Sequence, residues 1–248
     1  MLNIRQNKIL RKNGEGKPGL GLGLVFPCAE SIGLVGLLGK FDFIMLDGEH
    51  GLFSPESIDE MVRTADAYEL TVTARVPNIE SSTINLFLDR GVMGILGPHI
   101  ETAEQAKQLV DACRFGPEGQ RSWGGGQGTF YNDSRLLGQP GLKRTEWMAE
   151  SNNQMIVSAQ LETALSFENL EDILDVDGID SFAWGSNDLA TSMGLYGQPD
   201  HPKVKAAESS VEKRICAVGR KMMHDTQVVI NLPTLILDGA EDFAKSNS

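Results

Sequence analysis

Short apolar runs of strand length recur along the chain, each followed by a segment whose apolar residues return every three or four positions. The runs lie at 20–26, 41–46, 71–76, 92–96, 154–161, 178–184 and 227–232. Runs of this length bounded by turn residues suit strands buried on both faces. Helical patterns follow at Ala29–Leu38, 82–90, 164–174 and around 204–223. Two helix starts are written into the chain. Ser54 precedes Pro55, a side-chain cap followed by proline at the first helical position, and Ile58, Met61, Val62 and Ala65 then share one face. Thr102 and Gln105 have the spacing of a reciprocal cap, predicting a helix through Ala112. Further on, 235–238 begins another helix and 240–244 is the candidate for an eighth strand.

Repeated strand–helix units predict a parallel sheet. Seven or eight of them in 248 residues favour a closed (β/α)8 TIM barrel over an open sheet, as one domain spanning 1–248 without a compositional break. Two stretches read as loops, the glycine-rich 115–128 and 186–202.

Charge and cysteine content narrow the function classes. Asp and Glu number 34 against 22 Lys and Arg, for a net charge of -12. That balance repels phosphate backbones, so no nucleic-acid partner is expected. The three cysteines, Cys28, Cys113 and Cys216, are far apart and without paired spacing. This argues against a structural zinc site and suits a reducing cytoplasm. Residues 1–17 are polar and basic, without the apolar core of a signal peptide, and no run is long enough for a bilayer. A cytoplasmic location with no membrane partner is therefore expected. Glycines 19, 21 and 23 lack dinucleotide-binding spacing and read as packing or strand bending. Glycines 124–126 and 128 are not followed by the Lys-Ser/Thr of a phosphate loop, leaving a substrate loop or a merely flexible one. Trp123, Trp147 and Trp184 read as packing residues.

In barrels of this kind the active site lies at the C-terminal ends of the strands. The second run ends at Asp47, with Glu49 and His50 just beyond, and the third at Arg75. The fourth leads to His99, the fifth to Gln160 and Glu162, and the sixth to Asp188 in Gly185-Ser186-Asn187-Asp188. Gln160 and Glu162 point the same way because strand side chains alternate. Glu162 and Asp188 can hold a hard cation such as Mg2+ or Mn2+, with positions left for water and substrate. A 2-keto acid can chelate such a cation, whose Lewis acidity then favours loss of a proton from carbon 3. Arg75 can oppose the charge developing on the enolate oxygen. Asp47 and His50 can pair as acid and base, the carboxylate fixing the imidazole tautomer.

Each residue has an ordinary structural explanation as well. Asp47 before Gly48 is a turn pattern, and His50 reads equally as a solvated loop histidine. Arg75 can simply pair with a carboxylate. Glu162 can be an acid favoured near a helix N-terminus, and Asp188 a helix cap. His99 after Pro98 reads as structural or as part of the site's rim. The joint placement of these groups at one barrel end is what argues for chemistry.

At these residues the chain resembles the HpcH/HpaI family of metal-dependent pyruvate aldolases. The resemblance rests on FDFIMLDGEH (41–50), TARVP (73–77), LDRG (88–91), GILGPHIETAEQA (94–106), GPEGQRSWG (116–124), QLE (160–162) and GIDSFAWGSNDL (178–189). Together these cover most of 20–200, and the combination is specific where no single segment is. The resemblance implies a (β/α)8 barrel and a carbon–carbon lyase that cleaves a 4-hydroxy-2-keto acid to pyruvate and an aldehyde. It implies Glu162 and Asp188 as ligands of Mg2+ or Mn2+, with Co2+ a further choice, and Arg75 as the enolate-stabilising arginine. His50 and Asp47 become the acid–base dyad. Gln160 is placed close to the keto acid, the backbone at Gly185 and Ser186 at its carboxylate, and Asp89 near a neighbouring subunit's site. Hexamers built from dimers are common in the family, so a homo-oligomer is expected.

Two departures qualify the resemblance. Members usually continue past an eighth strand into a last helix that often packs on a partner, whereas DGAEDFAKSNS (238–248) predicts a shortened or divergent end. The segment GGGQGTFY (124–131) lacks an arginine expected in the loop that shapes the acceptor pocket, leaving the aldehyde open. Three alternatives follow. One is the same enolate with another electrophile, either citrate-synthase-like condensation with a keto acid or decarboxylation followed by addition. The second is a CoA-thioester lyase of a related barrel family. The third is a non-catalytic barrel, against which the intact Asp47, His50, Arg75, Glu162 and Asp188 count.

Overall fold

The alternation Gly-Leu-Gly-Leu-Gly-Leu decides how the first strand is used. In the computed structural model, which describes residues 3–138 and 144–247, it forms β1 (Gly19–Leu24). Successive side chains on a strand point to opposite faces. Leu22 and Leu24 are buried in the main core beneath the helices. The glycines face the bore of the curled sheet, where neighbours supply the bulk. A Cβ on Gly21 would collide with the ring of Phe43, and one on Gly23 with the side chain of Asn231. The glycine alternation is thus a packing device.

The other strands are β2 (Phe43–Asp47), β3 (Thr71–Arg75), β4 (Gly94–Gly97), β5 (Ile156–Leu161), β6 (Ser181–Trp184) and β7 (Gln227–Asn231). All pair in parallel, in the order β6-β5-β4-β3-β2-β1-β7. Helices cover the outside of this curled, TIM-barrel-like sheet, which is why β2 and β4 read as near-continuous apolar runs. In chain order they are α1 (Lys8–Gly14), α2 (Ala29–Leu38), α3 (Pro55–Ala67), α4 (Ser81–Asp89), α5 (Ala103–Cys113), α6 (Ser134–Leu137) and α7 (Arg144–Asn153). There follow α8 (Ala164–Glu168), α9 (Leu170–Leu174), α10 (Ser186–Ser192), α11 (Pro202–Ala217), α12 (Met223–Thr226) and α13 (Leu232–Ser246). The predicted caps form. Ser54 accepts from the Ser57 N–H with Pro55 in the first turn of α3, and Thr102 and Gln105 cap α5 reciprocally. No helix among the described residues is long and apolar enough to cross a membrane.

Three differences from the sequence expectation concern the barrel wall. The run at 227–232 is a strand, but β7 pairs with β1, Gly19 opposite Gln227 through Gly23 opposite Asn231. It thus takes the place of an eighth strand. The seventh place holds a single parallel bridge, Phe182 to Met222, followed by the one-turn helix α12. The helix expected around 204–223 ends earlier, at Ala217, with Gly219 at positive φ just beyond it. The expected eighth strand at 240–244 lies inside α13. That segment has no β-branched residue, and its Glu241 pairs with Lys245 just beyond it, an i,i+4 pair at 3.0 Å; both favour helix.

The basic N-terminal stretch is also structured. Asn7 caps α1, and its side-chain amide donates to the carbonyls of Met93 and Gln154. Ile9 of α1 then packs with Phe43 and Ile156 and closes the base of the barrel. The glycine-rich loop is tied down. Trp123, Trp147, Phe115 and Phe130 form one aromatic cluster, Thr129 Oγ1 donates to the Gly124 carbonyl at 2.8 Å, and Gln127 Nε2 donates to Asp66 at 2.6 Å. Trp184 packs edge-on to Phe167. All three tryptophans are packing residues, as the sequence suggests.

Candidate active site

Strand register builds the site. Asp47 and Arg75 are partners at the ends of β2 and β3. The Arg75 guanidinium donates twice to the Asp47 carboxylate, Nε to Oδ1 at 3.0 Å and Nη2 to Oδ2 at 2.7 Å. The chain then turns tightly. Gly48 donates its N–H to the Arg75 carbonyl at 2.8 Å, and a Cβ there would lie 2.7 Å from the Phe87 ring. Only glycine fits this approach, and it lets Asp47 Oδ1 also accept the N–H groups of Glu49 and His50, each at 3.2 Å. Burial works to raise the Asp47 carboxyl, but the bonds from Arg75, His50 and Glu49 outweigh it and hold it below the usual carboxylate range. Burial likewise opposes the charge on Arg75, yet Asp47, Glu49 and Glu162 together raise its pKa above the usual arginine value.

Asp47 and His50 therefore meet, but through the His50 backbone. The imidazole is 68% exposed, with Nε2 3.9 Å from a Glu49 oxygen. Glu49 is the link that sequence reasoning passed over. Its carboxylate lies 3.2 Å from Arg75 Nη1 and 3.4 Å from His99 Nε2. His99, expected at the rim or in a structural role, bridges two carboxylates. It sits at φ 52, a left-handed conformation uncommon outside glycine, and its N–H donates to Glu162 Oε1 at 2.7 Å. Its Nδ1 lies 3.1 Å from the same oxygen. The one available signal for both residues was their position just past strand ends.

Glu162 is 1% exposed, and Gln160 Nε2 donates to its second oxygen at 2.8 Å. Burial raises the Glu162 carboxyl, assisted by the charges of Asp188 and Glu49 and opposed by His99, with a net upward shift. Gly185, at the end of β6, touches this pair. A Cβ there would lie 2.5 Å from Glu162 Cβ and 2.9 Å from Gln160 Nε2. Ser186 opens α10, and Asp188 stands in its first turn. Asp89 does not join the group. It ends α4, which runs back toward the opposite end of the barrel, and packs against Gly124 and Gly126. Burial raises its carboxyl against the charges of Arg121 and Arg90.

The donor set fits a hard divalent cation. The charge of Asp188 acts on Glu162, and the side-chain oxygen Oε1 of Gln160 is buried without a hydrogen-bond donor. Among the described residues no three His, Cys, Asp or Glu side chains gather into a complete metal cage. The protein would supply two carboxylates, and substrate and water would supply the rest, as hard cations commonly accept.

A sequence model of the family described as HpcH/HpaI aldolase/citrate lyase matches residues 33–246. The chain is 33% identical over 215 residues to a 4-hydroxy-2-oxovalerate aldolase of Rhodococcus jostii, covering 86% of this chain and 79% of that protein. It is 36% identical over 195 residues to a hydroxypyruvate/pyruvate aldolase of Roseobacter denitrificans, covering 77% and 70% respectively. An HpcH/HpaI aldolase from Desulfitobacterium hafniense shares the fold, with a TM-score of 0.79 over 96% of this chain and 95% of that one at 22% identity.

Proposed function

This chain belongs to the HpcH/HpaI aldolase/citrate lyase family, a group of class II pyruvate aldolases, and we propose that it reversibly cleaves a 4-hydroxy-2-keto acid to pyruvate and an aldehyde. The observation that carries the reading is the gathering of the site's groups at one barrel mouth: Arg75 is linked to Glu162 through Glu49 and His99, and the turn that leads to Asp188 touches Glu162 at Gly185. We assign Glu162 and Asp188 as the carboxylates that hold a divalent cation, Mg2+ or Mn2+. Bound there, such a cation supplies Lewis acidity toward the oxygens of the keto acid.

The chain's own groups do the rest. In the cleavage direction a base takes the proton of the 4-hydroxyl, the bond between carbons 3 and 4 breaks, and the aldehyde leaves. The electron pair passes to carbon 3 and the ketone oxygen as an enolate, which regains a proton at carbon 3. Arg75, held rigid by Asp47, opposes the charge on that oxygen. The exposed His50 imidazole is the proton carrier, with the Asp47 turn fixing its backbone. Gln160 and the backbone at Gly185 and Ser186 orient the keto-acid end. Cleavage of 4-hydroxy-2-oxovalerate, read as pyruvate release and compared with and without chelator, tests the assignment. Metal-dependent release supports it, and a fully metal-loaded protein inert toward this acid and its longer homologues would refute it.

We also propose a homo-oligomer. Helix α13 turns Ile236, Leu237 and Phe243 to solvent, Phe243 with 72% of its surface exposed. An apolar helix face of this kind favours burial against another copy. Light scattering of the Phe243→Asp variant should show a lower mass than the wild type, and an unchanged mass would count against this contact.

A further inference from the structure

Helix α11 carries a carboxylate where its pattern calls for an apolar residue. Val204, Glu208, Val211 and Ile215 are its buried positions, spaced as one inward stripe. Glu208 is only 7% exposed. Burying a charge there is costly unless it is paired and hydrogen-bonded. One oxygen accepts from Ser186 Oγ at 2.6 Å, and the other lies 3.2 Å from Lys205 Nζ. Lys205 reaches outward to Asp200 at 3.5 Å.

The bond to Ser186 crosses to the element that matters for the site. Ser186 directly follows Gly185, which touches Glu162 and Gln160, and Asp188 lies two residues further on. α10 is short, and Leu189 and Ala190 pack it against Val204 of α11. The hydrogen bond fixes the start of the helix, and the apolar contact fixes its body. Asp188 stands two residues after the pinned pair Gly185-Ser186 and directly before the packed Leu189, which leaves its carboxylate little freedom relative to Glu162.

We propose that Glu208 is a positioning residue for the β6–α10 turn, holding Ser186 so that Asp188 stands at a fixed distance from Glu162. The inference rests on the reading of those two carboxylates as the cation's ligands. Its consequence is a site whose cation affinity depends on a residue that touches neither cation nor substrate.

Mn2+ titration of the full chain, followed by electron paramagnetic resonance, tests it with the variants Glu208→Ala, Ser186→Ala, their combination and Glu208→Gln. Removing groups that orient metal ligands commonly weakens affinity 10–100-fold, so each alanine variant should raise the Mn2+ Kd about tenfold. Because both remove one bond, the double variant should also show about tenfold and not the roughly hundredfold of independent sites. Glu208→Gln retains an acceptor for Ser186 and should stay within about threefold of wild type. Ser186→Ala removes a single oxygen and keeps the test open if Glu208→Ala fails to fold. Wild-type Kd values in both alanine variants, or effects that multiply, would overturn the proposal alone. No Mn2+ binding by folded wild-type protein would overturn the metal reading beneath it.

Discussion

Replacing Gly185 by alanine isolates the geometry of the site from its chemistry. Gly185 sits at φ -121, so the substitution demands no left-handed backbone from alanine. Its added Cβ would lie 2.5 Å from Glu162 Cβ, 2.9 Å from Gln160 Nε2 and in collision with Glu162 Oε2. The Oε2 clash can be relieved by rotating a side chain, but Glu162 Cβ is fixed to the backbone just past β5. Carbon atoms rest at about 3.5–4.0 Å, so the turn and β5 must separate by about 1 Å. Misplacement of reacting groups by about 1 Å costs on the order of 100-fold in rate. That corresponds to about 2.7 kcal/mol of lost transition-state stabilisation. The assay is pyruvate release at saturating metal and substrate, with circular dichroism to verify the fold. A variant with wild-type secondary structure and kcat lowered by about 100-fold fits the reasoning. A folded variant with wild-type kcat would show that the approach of Gly185 to Glu162 does not matter.

Two further outcomes follow from the same groups. Lysine at position 75 keeps the charge but cannot reproduce the paired bonds to Asp47, so Arg75→Lys should lower kcat by about 10²–10³-fold; retention within about tenfold would remove Arg75 from the chemistry. The Asp47 carboxyl is held below its unfolded value of about 3.9, so its stabilising contribution is complete above that value and is lost as pH falls through the lower folded value. Thermal melts between pH 6 and pH 2 should therefore fall less steeply for Asp47→Asn than for the wild type, and identical slopes would contradict the assignment.

What the sequence discloses depends on whether a signal is local. The capped starts of α3 and α5 and the apolar strands are written in adjacent residues, and they appear where expected. The candidate site residues are legible because a parallel barrel collects its strand ends on one face, so no contact need be known in advance. Neighbour relations are different. Nothing in the run at 227–232 reveals that it pairs with β1, since periodicity reports burial and not partners. The N-terminal stretch looks like a polar tail because Ile9 is the one residue of α1 buried in the core. The roles of Glu49 and His99 depend on a turn that only Gly48 permits and on a left-handed backbone at His99, neither of which leaves a periodic trace. Glu208 was invisible for the opposite reason: an acid in a long amphipathic helix reads as solvated until its partner on α10 is seen.

The most direct test of the central claim follows the methyl protons of pyruvate by NMR in heavy water. Native protein is compared with Glu162→Ala, each with Mg2+ or Mn2+ and each with excess chelator. The account predicts exchange of those protons for deuterium that requires the cation and disappears both on chelation and in the variant. Absence of exchange from folded, metal-loaded native protein, or exchange that persists unchanged in Glu162→Ala, would contradict it.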